Sequence, residues 1–243
     1  MKLGRALSVA VTVGMWIYFV GAFLAGYWLI FLGAGIIRGR RGLAWAVRSY
    51  ARSVIAVLLR AIPRVRLEVP QRSQLRSTRG SVVVCNHLSF LDPLLLLSLL
   101  PGAITIVRPD FFRVPVFGWL LAGAGFMGPD LFAEGRPWIE RVQRRLQAGD
   151  NLLVFPEGTR SRTGRLAPLK KGAFFLAKQL GAPIVVLRLG GTERIFPPDS
   201  LTVDATADNT VEVRHLATIS TAEAAATTTA ELTTRVRETL ESC

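Results

Sequence analysis

Cysteine and histidine are scarce in this sequence, and their scarcity limits the chemistry that the chain can support. Two residues of each type occur among 243. Cys85 lies in an apolar run and Cys243 ends the chain, so we expect no structural disulfide and a reducing compartment. His87 and His215 are too few, and too far from a cysteine pair, for a usual zinc site. We expect neither a bound metal nor another cofactor.

Acidic residues are also few. The chain has 17 Asp and Glu against 30 Lys and Arg, a formal net charge of +13. Such a chain suits an anionic partner, either nucleic acid or a membrane surface. We find no basic run interleaved with aromatic residues and no nucleic-acid motif. Half of the residues are hydrophobic and the mean hydropathy is +0.37. These features favour membrane lipid as the anionic partner. We do not expect nucleic acid to be a partner.

Charge is entirely absent from residues 6–37, a run of 32 residues. A membrane-spanning helix needs about 20 apolar residues. One helix of the full length would measure about 48 Å, against a hydrocarbon core of about 30 Å. The run therefore predicts a strongly tilted span, a span with a buried extension, or a re-entrant pair bent near residues 21–26.

Arginines follow the uncharged run. By the positive-inside rule, this flank and the domain after it lie on the cytoplasmic side, although Lys2 and Arg5 at the other end are also positive. Residues 44–62 have the pattern of an amphipathic helix, which can lie along the membrane or cover a sheet. The chain thus divides into an N-terminal membrane-anchoring helical region, residues 1–62, and an α/β domain, residues 63–243.

The stretch from Ser81 to Pro93 carries the first functional pattern. Val82 to Cys85 are apolar and mostly β-branched, which predicts a buried strand of a parallel sheet. Asp92 followed by Pro93 predicts a helix start, with the Asp92 carboxylate capping free N–H groups. The order is then strand, five-residue loop and helix, and the loop lies at the carboxyl end of a strand, where open α/β sheets bind ligands.

His87 and Asp92 are the candidate catalytic pair within this stretch. If the loop folds back, the Asp92 carboxylate can orient the imidazole and leave the other ring nitrogen as a general base. The nucleophile would then be a substrate hydroxyl, with Ser89 as a weaker alternative. The competing interpretation is that Asp92 only caps the helix and His87 is an ordinary loop residue.

A second pattern occupies residues 151–161. The apolar run Leu152 to Phe155 predicts another strand, and Pro156 ends it. The polar residues that follow the strand are Glu157, Gly158, Thr159 and Arg160. Arginine suits bidentate phosphate contact, so these two strands with polar residues at their carboxyl ends indicate one shared site. Alternatively, Glu157 and Arg160 form an ion pair that braces the loop.

Together, Asn86-His87 with Asp92, followed by Phe155 to Ser161, resemble the motifs of the glycerolipid acyltransferase family. The resembling branch comprises the 1-acyl-glycerol-3-phosphate acyltransferases, also called lysophosphatidic acid acyltransferases. A Pro-led apolar strand near Ile184 to Leu189 extends the resemblance over roughly residues 82–189. The resemblance implies a mixed, largely parallel sheet flanked by helices, following the N-terminal membrane-associated segment.

The resemblance also implies an activity, an O-acyltransferase of phospholipid synthesis. An acyl-CoA or acyl carrier protein thioester would donate a fatty acyl group to the free hydroxyl of a lysophospholipid, with 1-acyl-glycerol-3-phosphate giving phosphatidic acid. His87 would act as the base and Asp92 would orient it. The glycerol-phosphate head group would lie against Glu157, Gly158, Thr159 and Arg160, with Arg160 as its main cation.

One position departs from the family pattern. Leu131 stands where the family has an arginine thought to contact the acceptor phosphate, and Arg136 is the nearest possible substitute. An acyltransferase for a phosphate-free lysolipid, such as a lyso-amino-acid lipid, therefore remains an alternative. So does a non-catalytic membrane protein that binds lipid.

Periodicity and turn residues predict the other elements. Strands are expected near 65–69, 103–107, 184–189 and 210–215, and helices over 137–148, 173–180 and from Ser220 to about Glu241.

Overall fold

The computed structural model describes residues 2–22, 28–62, 64–114, 117–128, 136–161, 163–206 and 209–242. The uncharged N-terminal run forms two helices, α1 (Lys2–Ala22) and α2 (Trp28–Ala61). The segment between the helices, near the bend expected for a re-entrant pair, lies outside the described residues. Helix α2 is kinked at Gly39, whose φ of 56° lies in the left-handed region that favours glycine.

A mixed sheet forms the centre of the molecule. Its strands are β1 (Val65–Glu68), β2 (Val82–Cys85), β3 (Ala103–Thr105), β4 (Asn151–Val154), β5 (Ile184–Gly190) and β6 (Asn209–Ile219). Their order across the described sheet is β1-β6-β5-β2-β4-β3, with β5 and β6 antiparallel and the other neighbours parallel. The predicted mixed, largely parallel sheet is confirmed. Because β2 pairs in parallel with both β4 and β5, the carboxyl ends of these three strands open on one edge.

Nine further helices in the described residues surround the sheet. They are α3 (Arg72–Ser77), α4 (Leu91–Leu99), α5 (Pro109–Phe112), α6 (Phe117–Ala124), α7 (Arg136–Gln147), α8 (Gly172–Leu180), α9 (Thr192–Ile195), α10 (Thr221–Ala226) and α11 (Thr229–Glu241). The predicted helices over 137–148 and 173–180 are confirmed to within a residue. Helix α3 was not predicted. The expected last helix is two helices, because a second capping box, Thr228 with Glu231, starts a new one.

The two faces of the sheet bury separate clusters. On β2, Val83 and Cys85 face the layer of α2 and α4, whereas Val82 and Val84 face the layer of α7, α8 and α11. This alternation follows from the period of two residues along a strand. The second half of α2 is buried in the first cluster through residues that include Tyr50, Val54 and Leu58. Of the two interpretations of residues 44–62, the structure therefore shows the helix that covers the sheet.

Helix α1 has an exposed apolar face and an aromatic face that touches the domain. Its large exposed apolar side chains are Leu7, Val9, Val13, Ile17 and Val20. On the other face, the Trp16 ring lies 6.3 Å from Phe90 and 6.4 Å from Phe196. In the described residues, Gly4–Ala22 and Arg41–Ala61 are long and apolar enough to cross a membrane, but the first is 6% buried and the second 50%. Its lower burial therefore makes α1 the better candidate of the two for contact with lipid.

Helix α1 should hold the protein on a membrane after a high-salt wash. Salt screens the attraction between arginines and anionic lipid, but it does not extract a buried apolar helix. We expect the full chain to remain in the membrane pellet and to leave only with detergent. A chain that begins at Gly42 keeps the buried half of α2 and should become salt-extractable. Release of the full chain by salt alone would show that α1 packs on the domain without entering lipid.

Candidate active site

The Asp92 carboxylate lies at the centre of the site and has no exposure to solvent. Its Oδ2 accepts hydrogen bonds from the backbone N–H groups of Leu88 at 2.6 Å and Ser89 at 2.8 Å. Helix α4 begins at Leu91, whose N–H donates to the hydroxyl of Ser89 at 3.3 Å, and among the described residues Asp92 accepts no hydrogen bond from the N–H groups of the helix start. The prediction that Asp92 caps the helix was therefore wrong, because its oxygen is bonded to the loop N–H groups that precede the helix.

The same carboxylate oxygen holds the ring of His87. Nδ1 of His87 lies 2.9 Å from Oδ2 of Asp92. Since a carboxylate only accepts hydrogen bonds, Nδ1 carries the proton and Nε2 is the acceptor nitrogen. The ring stacks on Phe155, with centroids 4.2 Å apart, and 18% of the His87 side chain is exposed. Within the described residues, no hydrogen bond occupies Nε2, so this nitrogen is available to a substrate proton.

A third strand contributes to the pair, and we did not predict it. Thr192 follows the end of β5, and its hydroxyl donates a hydrogen bond of 2.6 Å to Oδ1 of Asp92. Asn86, which directly follows β2, also connects β2 to β5, because its side chain hydrogen-bonds both the N–H and the C=O of Leu189. The sequence offers one sign of this contribution, the pair Gly190-Gly191. It ends the apolar run of β5, as polar residues and Pro end the runs of β2 and β4.

Glu157 connects the loops after β2 and β4. It is 4% exposed, and its two oxygens accept hydrogen bonds from the N–H groups of His87 at 2.8 Å and Ala167 at 2.9 Å. The N–H of Ser161 in turn donates to the C=O of His87 at 2.8 Å. Among the described residues, Glu157 forms no ion pair with Arg160. Glu157 does brace the loop, but through backbone N–H groups.

The other residues of the second motif lie at the surface. Gly158, Thr159 and Arg160 are exposed on the loop that Glu157 joins to His87. Gly158 has a φ of 72°, and a Cβ there would lie 2.5 Å from Nζ of Lys170. The Lys170 ammonium therefore lies over this turn and adds a second positive charge beside Arg160. Leu131, the departure from the family pattern, lies outside the described residues.

Two side chains in this region are unsuited to act as nucleophiles. Ser89 is fully buried, and its hydroxyl donates to the C=O of Phe196 at 2.8 Å. Burial raises the pKa of the Cys85 thiol well above its usual value, and the negative charges of Asp92 and Glu157 raise it further. A neutral, buried thiol is a poor nucleophile. The geometry therefore favours a general base acting on a substrate over a covalent intermediate on either residue.

The sequence of residues 66–189 matches the acyltransferase family, and this chain belongs to it. The match confirms the resemblance drawn from the two motifs. The matched residues include the loop after β2, Glu157 and Arg160.

Individual relatives have names that are more specific than the description of the family. The chain is 40% identical over 122 residues to a chloroplastic 1-acyl-sn-glycerol-3-phosphate acyltransferase of Brassica napus, covering 49% of this chain and 35% of that one. It is 30% identical over 147 residues to the human 1-acyl-sn-glycerol-3-phosphate acyltransferase beta, covering 59% of this chain and 50% of that one. This chain thus spans half or less of the length of these relatives.

A solved structure has the same fold. The crystal structure of PlsC, the 1-acyl-sn-glycerophosphate acyltransferase of Thermotoga maritima, superposes with a TM-score of 0.76. The superposition covers 98% of this chain and 95% of PlsC, at 19% sequence identity. The likeness therefore includes α1 and α2 as well as the sheet.

Glu157→Gln should weaken the site without changing its surface charges. The glutamine amide has the size of the carboxylate, but its NH₂ group would face one of the two N–H donors. We expect a loss of about 1–3 kcal/mol of stability, the usual cost of a buried donor left unsatisfied. Thermal unfolding in detergent measures this loss. Arg160→Ala is the matched comparison, because it removes an exposed side chain of the same loop and should leave the melting temperature unchanged. Equal melting of the Glu157→Gln and wild-type proteins would contradict the brace.

Proposed function

We propose that this protein transfers a fatty acyl group from a thioester donor to the free hydroxyl of a lysophospholipid. The acceptor is 1-acyl-glycerol-3-phosphate, the product is phosphatidic acid, and the donor is an acyl-CoA or an acyl carrier protein thioester. The observation that carries this proposal is the His87 ring, oriented by a buried carboxylate, with Nε2 open on the edge that also presents Arg160. The names of the relatives support the acceptor.

The reaction follows from the tautomer of His87. Nε2 removes the proton of the acceptor hydroxyl as the oxygen attacks the thioester carbonyl. The new C–O bond forms, the C–S bond breaks, and the proton passes from Nε2 to the departing thiolate. Asp92 offsets the charge of the transient imidazolium. General-base assistance of this type accelerates reactions by about 10²–10⁴-fold.

The acceptor phosphate is assigned to the exposed loop after β4. Arg160 is its main cation, and a guanidinium can bind a phosphate through two parallel hydrogen bonds. Gly158 and Thr159 lie beside it, and Lys170 adds charge over the same turn. Glu157 does not contact the phosphate in this assignment. Its oxygens accept hydrogen bonds from backbone N–H groups and so hold the loop in place.

The membrane supplies the acceptor and retains the product. We assign α1 to the lipid phase, with the catalytic domain on the cytoplasmic side. The exposed apolar face of α1 and the arginines that follow the uncharged run support this placement.

The decisive experiment offers the purified protein a panel of lysolipids with both donor types and identifies the products by mass spectrometry. Acyl transfer to 1-acyl-glycerol-3-phosphate is the expected result. His87→Ala should lower this activity by about 10²–10⁴-fold while the protein stays folded.

His215→Ala is the control for the loss of an imidazole, because His215 lies on β6 and hydrogen-bonds to Thr218. Transfer only to a phosphate-free lysolipid would replace the proposed acceptor. Lipid binding without transfer to any acceptor would make the protein a lipid-binding member of the family. Full activity in folded His87→Ala protein would exclude the mechanism.

Arg160→Ala should weaken use of the phosphate-bearing acceptor. If Arg160 binds the substrate and the transition state equally, KM for the acceptor rises; if it also aligns the attack, kcat falls. Activity with the donor at saturation and with varied acceptor separates the two effects. Arg72→Ala removes an exposed arginine of α3 and serves as the charge control. Unchanged acceptor kinetics in Arg160→Ala would remove the phosphate contact from the proposal.

A further inference from the structure

We propose that Thr192 is a positioning residue for the His87–Asp92 pair, acting through its hydroxyl on the second oxygen of the Asp92 carboxylate. This inference rests on the proposed function. It assigns a role to the carboxyl end of β5, a strand outside both sequence motifs.

The two oxygens of Asp92 are bonded unequally. Oδ2 accepts three hydrogen bonds, from Nδ1 of His87 and from the N–H groups of Leu88 and Ser89. Among the described residues, Thr192 is the one donor to Oδ1, at 2.6 Å. A carboxylate can rotate about the Cβ–Cγ bond, so bonds to one oxygen alone do not fix its plane. The Thr192 hydroxyl supplies the second point of attachment.

The fold holds this hydroxyl in place. Thr192 is 1% exposed, so its hydroxyl has little access to solvent. The two hydrogen bonds between Asn86 and Leu189 fix the end of β5 against the end of β2. The N–H of Phe196 donates to the C=O of Thr192 at 3.0 Å, which closes the short helix α9. The position of Thr192 is therefore set by β5, by α9 and by the bonds from Asn86 to the end of β5.

The bond also changes the charge that His87 faces. A hydroxyl donor to Oδ1 draws negative charge away from Oδ2, the oxygen that contacts Nδ1. Without that donor, Oδ2 would hold the imidazolium more strongly, and the base would become protonated at a higher pH. Thr192 thus affects both the orientation of the ring and the pH at which Nε2 is free to accept a proton.

The test compares three full-length variants. Thr192→Val keeps the shape of the side chain and removes the hydroxyl, whereas Thr192→Ser keeps the hydroxyl and removes the methyl group. Thr105→Val is the matched control, because Thr105 is a buried threonine whose hydroxyl donates to the C=O of Leu153 at 2.9 Å, away from the pair. All three are assayed as purified protein in detergent with 1-acyl-glycerol-3-phosphate and acyl-CoA or acyl carrier protein thioester.

In Thr192→Val we expect kcat to fall by about 10- to 100-fold, the usual effect of a lost hydrogen bond to a charged group. The KM values for both substrates should stay near those of the wild type, and the acid limb of the kcat/KM profile should move to higher pH. Thr192→Ser should restore both. Thr105→Val should lower only the melting temperature. An unchanged kcat and acid limb in Thr192→Val, or equal kinetic effects in the two valine variants, would overturn the proposal.

A second measurement does not depend on turnover. The chain has two histidines, so a His215→Gln background leaves His87 as the one imidazole for NMR. Adding Thr192→Val to this background should move the midpoint of the pH-dependent ring shifts upward. If the wild type transfers no acyl group but the midpoint moves, the positioning role stands and the proposed function fails. If the wild type is active and the midpoint does not move, the positioning role fails alone.

Discussion

The active-site loop is built on one ionised carboxylate, that of Asp92, from which solvent is excluded. A buried charge is costly unless hydrogen bonds replace its hydration. Here four donors replace it, and they come from the loop after β2 and from the segment after β5. The conformation of the loop, the tautomer of His87 and the joining of the two strand ends thus depend on the same charge. A neutral side chain of equal size would leave several of these donors without an acceptor.

The local features of the site could be predicted from the sequence, whereas its long-range contacts could not. The strands before His87 and Glu157 were predictable because short apolar runs end in polar residues or in Pro and Gly, and this is a local property of the sequence. The bond from Thr192 to Asp92 joins residues 100 apart, and the bond from His87 to Glu157 joins residues 70 apart. No periodicity encodes such contacts. The direction of the Asp92 bonds was mispredicted for a related reason, since loop and helix N–H groups compete for one carboxylate.

Charges at the site are separated by depth. The acidic side chains, Asp92 and Glu157, are buried and hold the backbone. The basic side chains, Arg160 and Lys170, are exposed above them. The buried acids need their hydrogen bonds to offset desolvation, and these bonds fix the backbone around them. The exposed bases are free to meet an anionic ligand from solution or from the membrane surface.

Helix α1 touches the catalytic domain through Trp16 and Phe19, which pack on Phe90 at the end of the catalytic loop. Trp16 also packs on Phe196, whose C=O accepts a hydrogen bond from the hydroxyl of Ser89 in that loop. Helix α1, whose other face exposes apolar side chains, is therefore also one wall of the aromatic cluster behind the candidate active site. An unrelated hydrophobic anchor of the same length would not reproduce that wall. The sequence of α1 is thus constrained on two faces, by apolar side chains on one and by aromatic packing against the domain on the other.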